Sequence, residues 1–261
     1  MLRFSSTVAL IIATLVSVSA AQPSLEPAAE VTDLATRNQD DAAAGRTYLG
    51  PTALTLPEGA AALTLRIPFL PAVEGTLGVG VTDRLEVSVG GAAAVVLESE
   101  STNPNRVASA GAKFQLARAR RFALALTASI HRREAFRDLD SFAGPPRDVP
   151  TRVAAGVGLA LSACLDHACA VMLGAHVHPL VDLTGGDQTS PYGGASLAIG
   201  RGRHRAVVDA TVIPDDDDAS GLGYVGYRAA GTKISFDLGL VIAKDAGGIF
   251  PWPTTGMSAR F

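Results

Sequence analysis

The chain has little of what usually announces a function. Aromatic residues make up 5% of it, charged residues 18%, and only two of its 261 residues are cysteines. The net charge of -3 leaves no basic excess of the kind that nucleic-acid binding needs. At 48% hydrophobic the chain is too apolar for intrinsic disorder. Past its first residues it holds no apolar run near the roughly 20 residues of a membrane helix. Helix-period stripes are scarce, and G-x-S-x-G, H-E-x-x-H and phosphate-binding loops are missing. No enzyme class is signalled, and no cofactor is expected. Two thiols make neither a zinc site nor a shielded redox motif.

What is present begins with an export pattern. Arg3 precedes the apolar stretch from Val8 to Val16, and Val18-Ser19-Ala20 and Ser19-Ala20-Ala21 are small-x-small cleavage sites. Residues 1–21 read as a signal peptide, with no cysteine nearby to mark a lipoprotein. Residues 22–45 are polar, aperiodic and Pro-containing, and read as a flexible, dispensable periplasmic lead-in. Residues 46–261 read as one domain.

From about Ala60 the hydrophobic period is two. Leu63, Leu65 and Ile67 alternate with Thr64 and Arg66, and Val87 and Val89 with Glu86 and Ser88. Ala112, Phe114 and Leu116 alternate with Lys113 and Gln115; Leu126, Ala128 and Ile130 with Thr127, Ser129 and His131. The pattern continues to the end of the chain, ambiguous in register only over Gly221–Ala230, and gives about twelve strands. The polar face carries Gly, Ala, Ser and Thr with isolated charges, which suits a small lumen better than a solvated surface. Connections alternate in length, except that the first outer one, near Leu70–Ala72, is short. Those at Thr82–Arg84, Ala117–Arg120, Leu165–Ala168, Gly200–Arg203 and Gly231–Thr232 are tight. Those at Glu98–Arg106, Arg132–Pro150, Pro179–Pro191, Pro214–Ser220 and Lys244–Trp252 are longer.

The chain ends Thr255-Gly256-Met257-Ser258-Ala259-Arg260-Phe261, with Phe261, Ala259, Met257 and Thr255 on one strand face. This ending resembles the C-terminal strand by which Gram-negative outer-membrane β-barrel proteins are recognised for assembly, with Phe261 as the assembly signal. The resemblance implies an all-β, antiparallel up-and-down transmembrane barrel with short periplasmic turns and longer outer loops. It implies location in the outer membrane after export, contact with membrane lipid and lipopolysaccharide, and passage through the barrel-assembly machinery.

On that architecture the expected lumen-lining set is Arg66, Glu86, Lys113, His131, Arg152, His176, His178, Asp209, Lys233, Asp237 and Arg260. Arg228 joins it if Tyr224 points inward, with Asp237 as a candidate partner. His131, His176 and His178 gather near the outer mouth, where a metal is conceivable and polar packing is the plainer reading. In an oxidising compartment Cys164 and Cys169 read as a disulfide across an irregular turn, since direct cross-strand pairing would turn the histidines toward lipid. Asp215–Asp218 read as a solvated loop tip, or as a weak divalent-cation tether to lipopolysaccharide.

Some barrels of this kind hydrolyse lipid with a Ser-His pair on the lipid face. Here the strand histidines point inward with no serine at a matching outward site, which leaves open a triad assembled from distant strands. The open readings are a small-solute pore or structural barrel with a polar, mildly basic lumen, a lipid-modifying or lipid-transporting barrel, and a soluble exported β-sandwich or β-barrel binding protein. Conductance separates the first from the second, and detergent dependence separates the third from both.

Overall fold

In a computed structural model, residues 34–69, 72–94, 105–134, 151–184, 189–213, 220–245 and 248–261 are described. The signal-peptide stretch and the Asp215–Asp218 run lie outside them. Twelve strands form one closed antiparallel barrel in which every strand pairs with its sequence neighbours and the first pairs with the last. They are β1 (Ala61–Phe69), β2 (Ala72–Thr82), β3 (Leu85–Ala94), β4 (Asn105–Arg118), β5 (Phe122–Glu134) and β6 (Arg152–Cys164), then β7 (Val171–Asp182), β8 (Thr189–Ile199), β9 (His204–Ile213), β10 (Ser220–Ala229), β11 (Ile234–Asp245) and β12 (Gly248–Arg260). At 9 to 14 residues each they reach the length a tilted membrane strand needs.

The two faces of the wall have inverted polarity. Leu77, Val89, Leu126, Val157, Val177, Phe236 and Leu238 are exposed on the outside. Arg66, Lys113, Gln115, Arg205, Asp209, Arg228 and Asp237 are buried on the inside. A water-soluble barrel would hide the first set and show the second. This one is built to sit in lipid, as outer-membrane β-barrels are.

Turns between β2 and β3, β4 and β5, β6 and β7, β8 and β9, and β10 and β11 lie at one end, with the start of β1 and the end of β12. Two proline-marked connections differ from expectation. Strands β7 and β8 run on through the directly opposed Pro179 and Pro191. Strands β11 and β12 stay paired to Asp245 and Gly248, with Pro251 opposite Ile242 and Pro253 opposite Leu240. Proline lacks the N–H of a ladder bond, but an antiparallel pair has alternate positions where none is exchanged.

The barrel seam is β1 against β12, from Ile67 opposite Thr255 to Ala62 opposite Arg260. Phe261 finishes it: its N–H donates to Ala61 O at 2.8 Å, and Ala61 N–H donates to Phe261 O at 3.1 Å. Its ring is 76% exposed on the lipid side of the rim. Deleting Phe261 removes both seam bonds and the aromatic together. The expected result is a marked fall in heat-modifiable, folded protein in the membrane fraction. Wild-type yield from the deletion would refute that role.

Twelve strands enclose more space than the roughly eight-stranded barrels that side chains alone can fill. The extra space is taken by the chain itself. Helix α1 (Leu34–Asp40) sits at the short-turn end, where Leu34 N–H donates to Arg120 O at 3.1 Å. The chain then climbs inside the barrel and turns at Thr47–Gly50, where Thr47 N–H donates to Gly50 O at 2.8 Å. It descends through Pro51–Leu56 to the start of β1. Residues 34–45 are therefore not the free lead-in that their polarity suggested, and residues 46–60 precede the wall rather than belong to it. Most of the segment is buried, including Leu34, Arg37, Asp41, Tyr48, Leu54 and Thr55.

Candidate functional site

The inward wall charges meet this segment. Its backbone carries donors and acceptors that have left water and need partners. Arg66 donates to Thr47 O at 2.7 Å, Lys113 to Gly45 O at 3.0 Å and Gln115 to Ala53 O at 2.9 Å. Arg260 donates to Asn38 O at 2.8 Å and Asp41 O at 2.6 Å. Carboxylates take the amides: Leu49 N–H donates to Asp209 at 2.7 Å, and Leu56 N–H to Glu86 at 3.0 Å. Ala53 N–H donates to the Ser162 hydroxyl at 3.0 Å.

Asp41 is the hub. It pairs with Arg205 and, at 3.5 Å, with Arg228, and accepts from the Ser235 hydroxyl at 2.7 Å and Ala43 N–H at 2.9 Å. Arg228 also forks onto Asp237 at 2.7 and 3.1 Å. Tyr48 stacks on Tyr224 with ring centres 4.0 Å apart, and Arg66 lies over the Tyr48 ring at 5.1 Å. Tyr224 thus points inward with Arg228, which settles the register of β10.

Of the expected lumen residues, Arg66, Lys113, His176, His178, Asp209 and Asp237 are buried inside, and Glu86, His131 and Arg260 are part-buried there. Arg152 and Lys233 are exposed at opposite rims. Lys233 lies in the turn before β11, one residue outside the ladder. Cys164 and Cys169 form a disulfide, with Cys164 opposite Met172 and Cys169 in the loop at φ 50°. The Cys169 carbonyl accepts from Arg37 of α1, so the bridge braces the floor under the segment.

Beside the turn at Thr47–Gly50 a recess of about 330 Å³ remains. Its charged lining is paired: Lys113 with Glu86 at 3.2 Å, Arg46 with Glu74 at 3.9 Å. Hydroxyls of Thr76, Ser88 and Ser109 line one wall, and His131, His178 and Tyr192 the other. The histidines do not converge as a metal set. His176 lies against Gly50 of the inner segment, where any Cβ would clash with its ring. Among the described residues no three His, Cys, Asp or Glu side chains gather as ligands. His178 and His131 instead meet on one hydroxyl, that of Ser129, each with Nε2 at 2.8 Å.

Sequence reasoning missed Asp41, Arg205, Tyr48 and Ser129. A signal for Asp41 existed. Inward Arg66, Lys113, Arg228 and Arg260 outnumber inward Glu86, Asp209 and Asp237, and buried cations need acceptors. The shortfall pointed to an acceptor-rich segment elsewhere in the chain.

No protein-family model matches the sequence, and no curated protein matches it. Among solved structures, the chain is similar to LpxR from Salmonella typhimurium, at TM-score 0.48 and 10% identity over 78% of this chain and 99% of that one. It is also similar to OprB of Pseudomonas putida at high pH, at TM-score 0.37 and 9% identity over 72% and 59% of the two chains. CdiB from Acinetobacter baumannii gives TM-score 0.32 and 8% identity over 77% and 59%.

Proposed function

We propose that the protein is an outer-membrane β-barrel held shut by its own residues 34–57, working through the recess at its outer mouth rather than as a standing pore. The short-turn end, with both ends of the strand set, faces the periplasm, and the longer connections face outside. Lipid surrounds the apolar band, and Phe261 presents the last strand to the assembly machinery. The observation that carries the reading is the use of the wall charges. Arg66, Lys113, Asp209, Arg228 and Arg260 are engaged with the inner segment, so they do not line a water path for ions. What stays accessible is the recess, whose paired charges and hydroxyls suit a small polar solute. Folded, heat-modifiable wild type in planar bilayers should give no unitary steps at neutral pH. A steady open channel from the intact chain would overturn the closed-barrel reading.

A further inference from the structure

Beyond closure, the recess holds a chemical grouping. On β5, Thr127, Ser129 and His131 share the inward face, two residues apart. His178 comes from β7, two strands away. The strand between them places Gly158 opposite Thr127 and Gly156 opposite Ser129. The His178 ring lies across those glycines: a Cβ on Gly158 would stand 2.7 Å from its Nδ1, and one on Gly156 would stand 3.0 Å from its Nε2. Only a bare backbone there lets the imidazole reach β5. It does so with both nitrogens, Nδ1 to the Thr127 hydroxyl at 3.0 Å and Nε2 to the Ser129 hydroxyl at 2.8 Å.

We propose that Ser129 and His178 form a nucleophile–base pair that cleaves small carboxylic esters entering the recess. A hydroxyl hydrogen-bonded to an imidazole, whose far nitrogen is fixed by a third group, is the arrangement that activates serine for acyl transfer. With Nδ1–H donating to Thr127, Nε2 of His178 presents its lone pair to the Ser129 O–H. Ser129 Oγ attacks the ester carbonyl and its proton passes to His178 Nε2. The carbonyl re-forms as the alkoxide leaves, taking that proton as an alcohol. Water then attacks the acyl-serine, giving its proton to His178, and the carboxylic acid departs as Ser129 recovers its own. His131 Nε2, at 2.8 Å from the same oxygen, is the N–H donor available to hold the hydroxyl in line. Thr127 is a positioning residue. The recess, at about 330 Å³, has room for a short acyl group on a small alcohol.

The test uses the full folded chain in detergent, checked by heat-modifiable migration. A fluorophosphonate probe should add to Ser129, located by mass spectrometry of the peptide, and p-nitrophenyl butyrate should be hydrolysed. Ser129→Ala should abolish both. His178→Ala should lower hydrolysis by about 10²- to 10⁴-fold, the usual share of a general base. Labelling should also slow in acid, as imidazole gains a proton. Thr127→Val should leave the protein folded but shift the pH profile of kcat/KM, which a purely structural hydroxyl would not do. Should the folded wild type stay unlabelled at Ser129, or label equally without His178, the pair is a packing contact and the proposal fails. Neither outcome touches closure of the lumen, which conductance reads independently.

Discussion

Deleting residues 34–57 is expected to turn a silent barrel into a conducting one. The wall does not need the segment to close: all twelve pairings run between strands, and the seam bonds of Phe261 go to Ala61, beyond the deletion. What the deletion removes is the filling. Arg66, Lys113, Arg205, Arg228 and Arg260 lose carbonyl or carboxylate acceptors on the segment and become water-lined. They then share the lumen with Glu86, Asp209 and Asp237, two of them paired on neighbouring strands, and the basic side is the larger. A basic wall in a narrow lumen lowers the barrier for anions. Unitary steps with a reversal potential on the anion side in asymmetric salt are the expected result. Heat-modifiable migration confirms the fold of the deleted protein. A folded deletion variant that stays silent would mean that other parts of the chain close the pore, and cation preference would mean that the wall charges are wrongly weighed.

The wall could be read from the sequence because its signal is local. In β5, Leu126, Ala128 and Ile130 face lipid and Thr127, Ser129 and His131 face in, as alternation alone requires. The closure was hidden because its signal is not local. Residues 34–57 have no period, since no surface of their own decides which side is apolar. Its polar groups are matched by several strands at once: Asp41 by β9 and β10, Thr47 by β1, Ala53 by β4 and β6. Prolines misled at Pro179, Pro191 and Pro251 because a breaker in sequence is harmless at a non-bonded ladder position. The Ser129–His178 contact needed the register of three strands and the emptiness over Gly156 and Gly158. Alternation gives faces, but not heights.

Asp41 should be the residue on which closure turns. It sits 1% exposed between Arg205 and Arg228, and Ser235 and Ala43 complete its bonds. Asp41→Ala leaves those guanidiniums buried with one acceptor fewer. Breaking a buried pair from one side costs about 3–5 kcal/mol. Arg228 keeps Asp237, so Arg205 bears most of that cost. The expected outcome is a segment that leaves the lumen part of the time: bursts of conductance, and proteolytic nicking within residues 34–57 that wild type resists. Asp41→Asn keeps the hydroxyl and amide contacts and should show a weaker form of the same behaviour. The pH response follows from the site. Burial pushes the Asp41 carboxyl up, but Arg228 and Arg205, with the Ser235 hydroxyl and Ala43 N–H, outweigh it and hold it below the usual carboxylate range. The folded value therefore lies below the unfolded one. The stabilisation is complete above the ordinary aspartate value of about 3.9 and is lost only as pH falls through the lower, folded value. Wild type should thus stay silent from pH 8 to pH 5 and begin to flicker only in stronger acid. Bursts already at pH 6, or an Asp41→Ala protein as silent and protease-resistant as wild type, would move the closing contact away from Asp41.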